Sequence, residues 1–179
     1  MTDSVANENE NEIVSFHCEL DSLPFEEGFE ERFSRATAAF QSFLNDTHEN
    51  EFTHLYKGSP EITFNVTLCG DERMTELNSE YRQKNKTTDV LTLALYENIR
   101  GGDEMLFDEV ELGDIFISAP VMEKQAAEFK VTIEQEFFHL MVHGFLHLLG
   151  YDHEISESEE KLMEKLEKKL VDRIYTSIY

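Results

Sequence analysis

The stretch IEQEFFHLMVHGFLHLLGYDH, residues 133–153, decides the fold, and the other segments are arranged around it. Its apolar side chains recur at helical spacing, which predicts a helix over residues 133–149. The apolar stripe consists of Ile133, Phe137, Met141, Phe145 and Leu148. Gly150 is expected to end the helix, because glycine accepts the left-handed backbone conformation of a helix C-terminus. The chain then turns back on itself.

Three histidines of this stretch have the spacing of a metal site. His143 and His147 are four residues apart, so their rings lie one above the other on one helix face. The turn after Gly150 is able to return His153 to the same point. Three imidazole ligands with one open coordination position are typical of a catalytic zinc site, here with one Zn²⁺ ion. Nickel or another ion that favours imidazole suits the same ligands.

His139 precedes His143 by one turn of the same helix. It is separated from His147 by eight residues, or about 12 Å of helix rise. One ion does not reach both rings, since zinc–nitrogen bonds are only about 2 Å long. We therefore predict that His139 lines the cleft, where it contacts substrate or supports a ligand, and a plain structural role is an equal alternative.

The remaining periodicities predict an α+β fold, with a small sheet of about four strands packed with about five helices and a metal cleft at the histidine helix. Strands are predicted at residues 12–18, 61–69, 90–96 and 112–118. Helices are predicted at residues 26–44, from 71 to about 81, 119–129, 133–149 and 157–174, with Asp71 as an N-cap. Loops are predicted at residues 45–60 and 100–110. Residues 1–11 read as a loose acidic tail, and residues 12–179 as a single domain.

The charge of the chain restricts its partners. The formal net charge of −23 argues against non-specific attraction to nucleic acid or to an anionic membrane, so a polyanionic substrate must approach a restricted patch. The acidic start of the chain lacks the features of a signal or transit peptide, which predicts a cytoplasmic protein. The alternating charge of residues 157–174 predicts a solvated surface.

A second cluster stands out in so acidic a chain. Arg82, Lys84 and Lys86 lie within five residues, at the end of one predicted helix and the start of a loop. One interpretation is favourable pairing of cations with a helix C-terminus. The other is a phosphate clamp, in which the planar Arg82 guanidinium binds a phosphate and opposes its developing charge while the lysines steer the substrate backbone.

Two alternatives to phosphodiester chemistry remain open. The spacing of the histidines matches a class of zinc peptidases, but those enzymes carry a glutamate general base directly after the first histidine, where this chain has Gly144. A binding module with a structural metal is the other, although structural zinc is normally closed by four protein ligands. Asp114 and Asp152 are candidate carboxylates for orienting the ligand imidazoles, and a turn role is an alternative for Asp152.

Taken together, the histidine stretch, the segment LNSEYRQK at residues 77–84, TDVL at 88–91 and LGDI at 112–115 resemble the YbeY family of endoribonucleases, also described as ribosomal RNA maturation factors. The resemblance implies zinc on the three histidines, Arg82 as a catalytic or substrate-binding residue, and single-stranded RNA as substrate. It further implies 16S ribosomal RNA 3′-end processing and ribosome quality control, with ribosomal proteins or assembly GTPases as partners. In that context the binding module with a structural metal would be a ribosome-assembly module. The chain departs from the family at Thr87, where relatives usually have proline, and at Thr92-Leu93, where they have Ser-Phe.

Overall fold

The computed structural model describes residues 13–46, 61–97, 99–100 and 109–179. These contain four strands and five helices, which confirms the predicted α+β class. In chain order they are β1 (Val14–Cys18), α1 (Phe29–Asn45), β2 (Glu61–Cys69), α2 (Asp71–Arg82), β3 (Val90–Ala94), β4 (Glu109–Ser118), α3 (Ala119–Phe129), α4 (Ile133–Leu148) and α5 (Glu157–Ile178). The predicted tail at residues 1–11 and most of the two predicted loops, at residues 47–60 and 101–108, lie outside the described residues.

The four strands form one mixed sheet in the order β1-β2-β4-β3. Strands β1, β2 and β4 are parallel, and β3 runs antiparallel to β4 along the edge of the sheet. Along β2 and β4, apolar residues alternate with polar ones, so each strand directs one set of side chains into the main core. Within the described residues, no helix combines the length and the hydropathy that crossing a membrane requires.

The main core lies between one face of the sheet and helices α1, α4 and α5. Phenylalanine rings fill much of this core. Phe145 of α4 packs edge-to-face on Phe40 of α1, with ring centroids 4.8 Å apart. The centroid of the Phe145 ring is also 5.1 Å from that of Phe64 of β2. Helix α2 covers part of the opposite face, where Met74 and Leu77 pack with Leu91. Helix α4 is thereby buried along most of its length, which fixes the backbone of its two histidines.

Several element ends differ from the sequence prediction, among them the end of α5 and the start of α2. Helix α5 continues beyond residue 174 to Ile178, because that side chain is buried and extends the apolar stripe of the helix by one turn. Asp71 is the first residue of α2 rather than its N-cap; Gly70 takes the cap position. The Asp71 carboxylate instead accepts hydrogen bonds from Ser118 Oγ at 2.8 Å and from Thr87 Oγ1 at 2.9 Å.

Candidate metal centre

The histidine helix is fixed at both of its ends. At its start, Thr132 and Gln135 form a reciprocal capping box, with hydrogen bonds of 3.1 and 2.9 Å. At its end, Gly150 adopts a left-handed conformation with φ of 83°. The amide of Tyr151 then donates to Leu146 O at 3.0 Å and that of Gly150 to His147 O at 2.9 Å, which is the Schellman arrangement. This turn brings the segment containing His153 back to the helix, as the sequence predicts.

The three predicted ligands come together around one point. The ligand atoms of His143, His147 and His153 all lie within 4.8 Å of one another. The Nε2 atoms of His143 and His147 are 3.1 Å apart. The ring centroid of His153 lies 5.3 Å from that of His143 and 5.3 Å from that of His147. Each of the three side chains is partly exposed, so the point between them is accessible from solvent.

This donor set fits a zinc ion. In a tetrahedral site with Zn–N bonds of about 2.0–2.1 Å, ligand nitrogens stand roughly 3.3 Å apart, close to the spacing of His143 and His147. Burial, together with the neighbouring His143 and His153 rings, lowers the pKa of His147 to about 4. Its ring is therefore neutral at pH 7, and one nitrogen lone pair is available to a metal without loss of a proton.

A carboxylate that the sequence analysis assigned to a solvated surface belongs to this site. Glu167 of α5 accepts a hydrogen bond from His143 Nδ1 at 2.9 Å, and the same oxygen lies 3.4 Å from His139 Nε2. Burial raises the pKa of Glu167, but the contacts with His139 and His143 outweigh it and lower the pKa to about 2. The prediction of a purely solvated α5 was therefore wrong at this residue.

The sequence contains a signal that would have found this residue. Glu167 lies four residues after Met163 and three before Leu170, on the buried stripe of α5. A charged residue on such a stripe needs a polar partner, since burial of an unpaired carboxylate is costly.

His139 itself is tied to two carboxylates. Its Nδ1 lies 3.8 Å from Glu136 Oε1, and 44% of its side chain remains exposed. Pairing with the carboxylates of Glu136 and then Glu167 raises the pKa of His139 to about 10, so the ring is a cation at neutral pH. The structure thus connects His139 to the ligand His143 through Glu167.

An arginine holds the turn that precedes His153. The Arg100 guanidinium carbon lies 4.2 Å from the centroid of the Tyr151 ring, and its Nη1 is 2.5 Å from Glu159 Oε2 at the start of α5. Tyr151 is buried, with 1% of its surface exposed. Arg100 therefore joins the turn to the first residues of α5, on the segment that positions His153.

Arg82 differs from the five other arginines of the chain. Arg32, Arg35, Arg73, Arg100 and Arg173 each form an ion pair with a carboxylate. Within the described residues Arg82 has no such partner, and the same is true of Lys84 and Lys86; all three are exposed. In a chain of net charge −23, this cluster is positioned to receive an external anion.

The loop after Arg82 is fastened to the body of the protein. The buried Asn78 amide donates to Lys86 O at 2.7 Å. Asp89 accepts from Val90 N at 2.8 Å and from Gln125 Nε2 at 3.0 Å. Strand β3 follows directly and packs against α4. No hydrogen bond or ion pair in the described part of the chain joins Arg82 to the three imidazoles.

The two aspartates lie in different surroundings. Asp114 accepts a hydrogen bond from Asn65 at 3.1 Å and precedes Ile115, whose side chain packs against α4. Because adjacent strand residues point to opposite faces, Asp114 projects away from α4 and is not brought to the histidines. Asp152 accepts from Glu154 N at 2.8 Å in the turn and lies near enough to His147 to affect the pKa of that ring.

The position that carries the general base in zinc peptidases has no space for a side chain here. A Cβ on Gly144 would stand 2.7 Å from Ile115 Cγ2 and 3.0 Å from its Cδ1. A glutamate at this position would therefore displace α4 from the sheet.

Comparison with known proteins agrees with this site. The sequence profile described as "Endoribonuclease YbeY" matches residues 28–175, which include all three histidines and Arg82. The chain belongs to the YbeY family of endoribonucleases. The YbeY protein of Thermodesulfovibrio yellowstonii is 40% identical over 134 residues, covering 74% of this chain and 80% of that protein. The YbeY protein of Bacillus subtilis is 43% identical over 109 residues, covering 60% and 69%.

A solved structure extends the likeness to the fold. The solution structure of TM1509 from Thermotoga maritima matches with a TM-score of 0.55 at 25% identity, covering 91% of this chain and 89% of that one. This chain is thus similar to YbeY proteins in sequence and to TM1509 in architecture.

Proposed function

We propose that this protein is a metal-dependent, single-strand-specific endoribonuclease that acts in 16S ribosomal RNA 3′-end maturation and in ribosome quality control. The observation that supports it best is the convergence of three histidine ligand atoms within 4.8 Å in a chain of the YbeY family. The catalytic domain would comprise residues 12–179, and its place of action would be the cytoplasm, with ribosomal proteins or assembly GTPases as partners.

In this proposal His143, His147 and His153 hold one Zn²⁺ ion. When bound, the ion would supply Lewis acidity to a phosphoryl oxygen or to an attacking water. The partial exposure of all three rings supports an open side at which a phosphodiester is able to approach. Both water and the neighbouring ribose 2′-hydroxyl suit this arrangement as nucleophile.

The cationic cluster would hold the substrate. Arg82 presents five donors in a planar fork, which matches two oxygens of the scissile phosphate and opposes the negative charge that grows there. Its lack of a carboxylate partner in the described residues supports this role, because no ion pair has to be broken first. Lys84 and Lys86 would contact flanking phosphates, and His139, a cation at neutral pH, would add positive charge beside the metal.

The experiment compares the zinc-loaded full chain with two variants on a single-stranded RNA that ends like 16S ribosomal RNA, on its duplex and on a peptide. We expect cleavage of the single strand alone. His147→Ala should lose both zinc and cleavage, whereas Arg82→Ala should retain zinc and lose cleavage about 10²–10³-fold. The matched control is Lys168→Ala, which removes an exposed cation of α5. Peptide cleavage, or stoichiometric zinc in His147→Ala, would overturn the proposal.

A further inference from the structure

We propose that Glu167 is a positioning residue for the metal ligand His143, and that His139 in turn holds Glu167 in place. The inference rests on the metal site proposed above and extends it to a residue of α5 that is 24 positions away from His143 along the chain.

The contact is directional. The donor–acceptor distance of 2.9 Å joins Glu167 Oε1 to His143 Nδ1, and not to Nε2. An ionised carboxylate only accepts hydrogen bonds, so Nδ1 of His143 must carry the shared proton, as it does in one of the two tautomers of an imidazole. Nε2 is then left with its lone pair, and this is the atom that lies 3.1 Å from Nε2 of His147. Glu167 therefore selects the tautomer whose free nitrogen faces the metal position.

The carboxylate is itself restrained. Only 19% of the Glu167 side chain is exposed, and its neighbours Leu166 and Leu170 are buried against the main core. His139 Nε2 lies 3.4 Å from the same Oε1 and forms an ion pair with it. Two histidines one turn apart on α4 thus share one oxygen, and the imidazole of His139 prevents the carboxylate from turning away from His143.

This arrangement resembles the general use of carboxylates behind metal-bound histidines. A hydrogen bond to the distal ring nitrogen fixes the ring orientation and raises the basicity of the coordinating nitrogen, and its loss typically weakens metal affinity about 10–100-fold. A merely structural bridge between α4 and α5 would change the free energy of unfolding but leave the tautomer of His143 and the zinc affinity of the folded protein unaltered.

The test uses the full chain and four variants. Glu167→Ala removes the acceptor, and Glu167→Gln retains an acceptor oxygen of the same reach. His139→Gln removes the restraint on Glu167. Glu164→Ala is the matched control, because Glu164 is an exposed glutamate one turn earlier on α5. Zinc affinity is measured by competition with a chromophoric chelator, and the His143 tautomer by ¹⁵N–¹H NMR of the metal-free, histidine-labelled protein.

We expect Glu167→Ala to weaken zinc binding about 10–100-fold and to lose the Nδ1–H tautomer preference of His143. Glu167→Gln should preserve the tautomer and recover most of the affinity, His139→Gln should give a smaller loss, and Glu164→Ala should match the wild type. Zinc affinity within twofold of wild type in folded Glu167→Ala would overturn the inference. Where that variant does not fold, the absence of an Nδ1–H tautomer preference of His143 in the wild type would overturn it. Failure of the wild type to bind zinc would instead overturn the proposed function.

Discussion

The backbone of Gly144 lies directly against the side chain of Ile115, so that a Cβ on residue 144 would stand 2.7 Å from Ile115 Cγ2. Gly144 is the one glycine of α4, and it lies one residue after the proposed ligand His143. Because Cγ2 branches from the Cβ of a buried strand residue, it is not free to move aside. The distance from α4 to β4, and with it the height of the metal ligands above the sheet, depends on this glycine.

We expect Gly144→Ala to destabilise the protein, although alanine is the better helix former. The helix gains about 1 kcal/mol from the substitution, but overpacking of a filled core costs about 1–3 kcal/mol. With a contact of 2.7 Å the second effect should dominate, and urea unfolding should show a net loss of up to about 2 kcal/mol. In an Ile115→Ala background the clash is absent, so the same substitution should become stabilising. A stabilising effect in the wild-type background would contradict this packing argument.

Arg100 should matter for the metal site through the turn that precedes His153. Arg100→Met keeps the aliphatic stem but removes the cation over Tyr151 and the ion pair with Glu159. The side chains of the pair are only 18% and 25% exposed, so we expect a loss of about 1–2 kcal/mol in unfolding free energy together with weaker zinc binding. Arg35→Met is the control, since its i,i+4 pair with Glu31 is exposed and should contribute at most about 0.5 kcal/mol. Unchanged zinc affinity in Arg100→Met would argue against a role for Arg100 in placing His153.

The raised pKa of His139 predicts a defined pH dependence of stability. Its pKa is about 10 in the folded protein against an ordinary value of 6.5, because Glu136 and Glu167 stabilise the charged ring. The stabilisation is therefore fully present below pH 6.5 and is lost as the pH rises through 10. In metal-free protein, the difference in unfolding free energy between wild type and His139→Gln should be largest near pH 6 and should shrink steadily towards pH 10. A difference that is constant or grows over this interval would show that the ring is not charged in the folded state.

The histidine cluster was predictable because its geometry is local. The i, i+4 pair, the glycine at the helix end and the returning His153 all lie within 11 residues, and backbone geometry alone brings them together. The strands were predictable for a similar reason, since residue alternation reports which side of a strand is buried. The ends of the elements were less predictable. The final turn of α5, for example, depends on tertiary burial of Ile178.

The supporting residues depend on how distant elements pack. Glu167 reaches His143 only because α5 lies along α4 in one particular register, which the spacing of leucines in α5 does not specify by itself. Asp114 was expected near the ligands, but the face of β4 to which it points is set by the packing of its neighbour Ile115 under Gly144. The packing of Arg100 over the Tyr151 ring likewise depends on how segments distant in sequence pack together.

The loop with the two lysines should depend on Asn78. This side chain is 2% exposed and donates to the carbonyl of Lys86. Asn78→Ala leaves that carbonyl without its donor, which typically costs about 1–3 kcal/mol, and loosens the segment that follows Arg82. We expect a higher KM for RNA with unchanged zinc content, measured by cleavage kinetics and metal analysis. Ser79→Ala, at the adjacent exposed position, is the control. If zinc content falls with RNA affinity, the loop and the metal site are not independent.

The phosphate clamp predicts different salt dependences for two substitutions of Arg82. Each cation that neutralises a phosphate of a single strand contributes about 0.7 to the slope of log affinity against log salt concentration. Arg82→Ala should therefore reduce the slope for a non-cleaved RNA by about 0.7, as should Lys84→Ala and Lys86→Ala, whereas Arg82→Lys should leave it unchanged. Arg82→Lys should nevertheless cleave poorly, because an ammonium does not offer the two parallel donors of a guanidinium. Full activity in Arg82→Lys would reduce Arg82 to a steering charge, and an unchanged slope in Arg82→Ala would remove it from the RNA-binding surface.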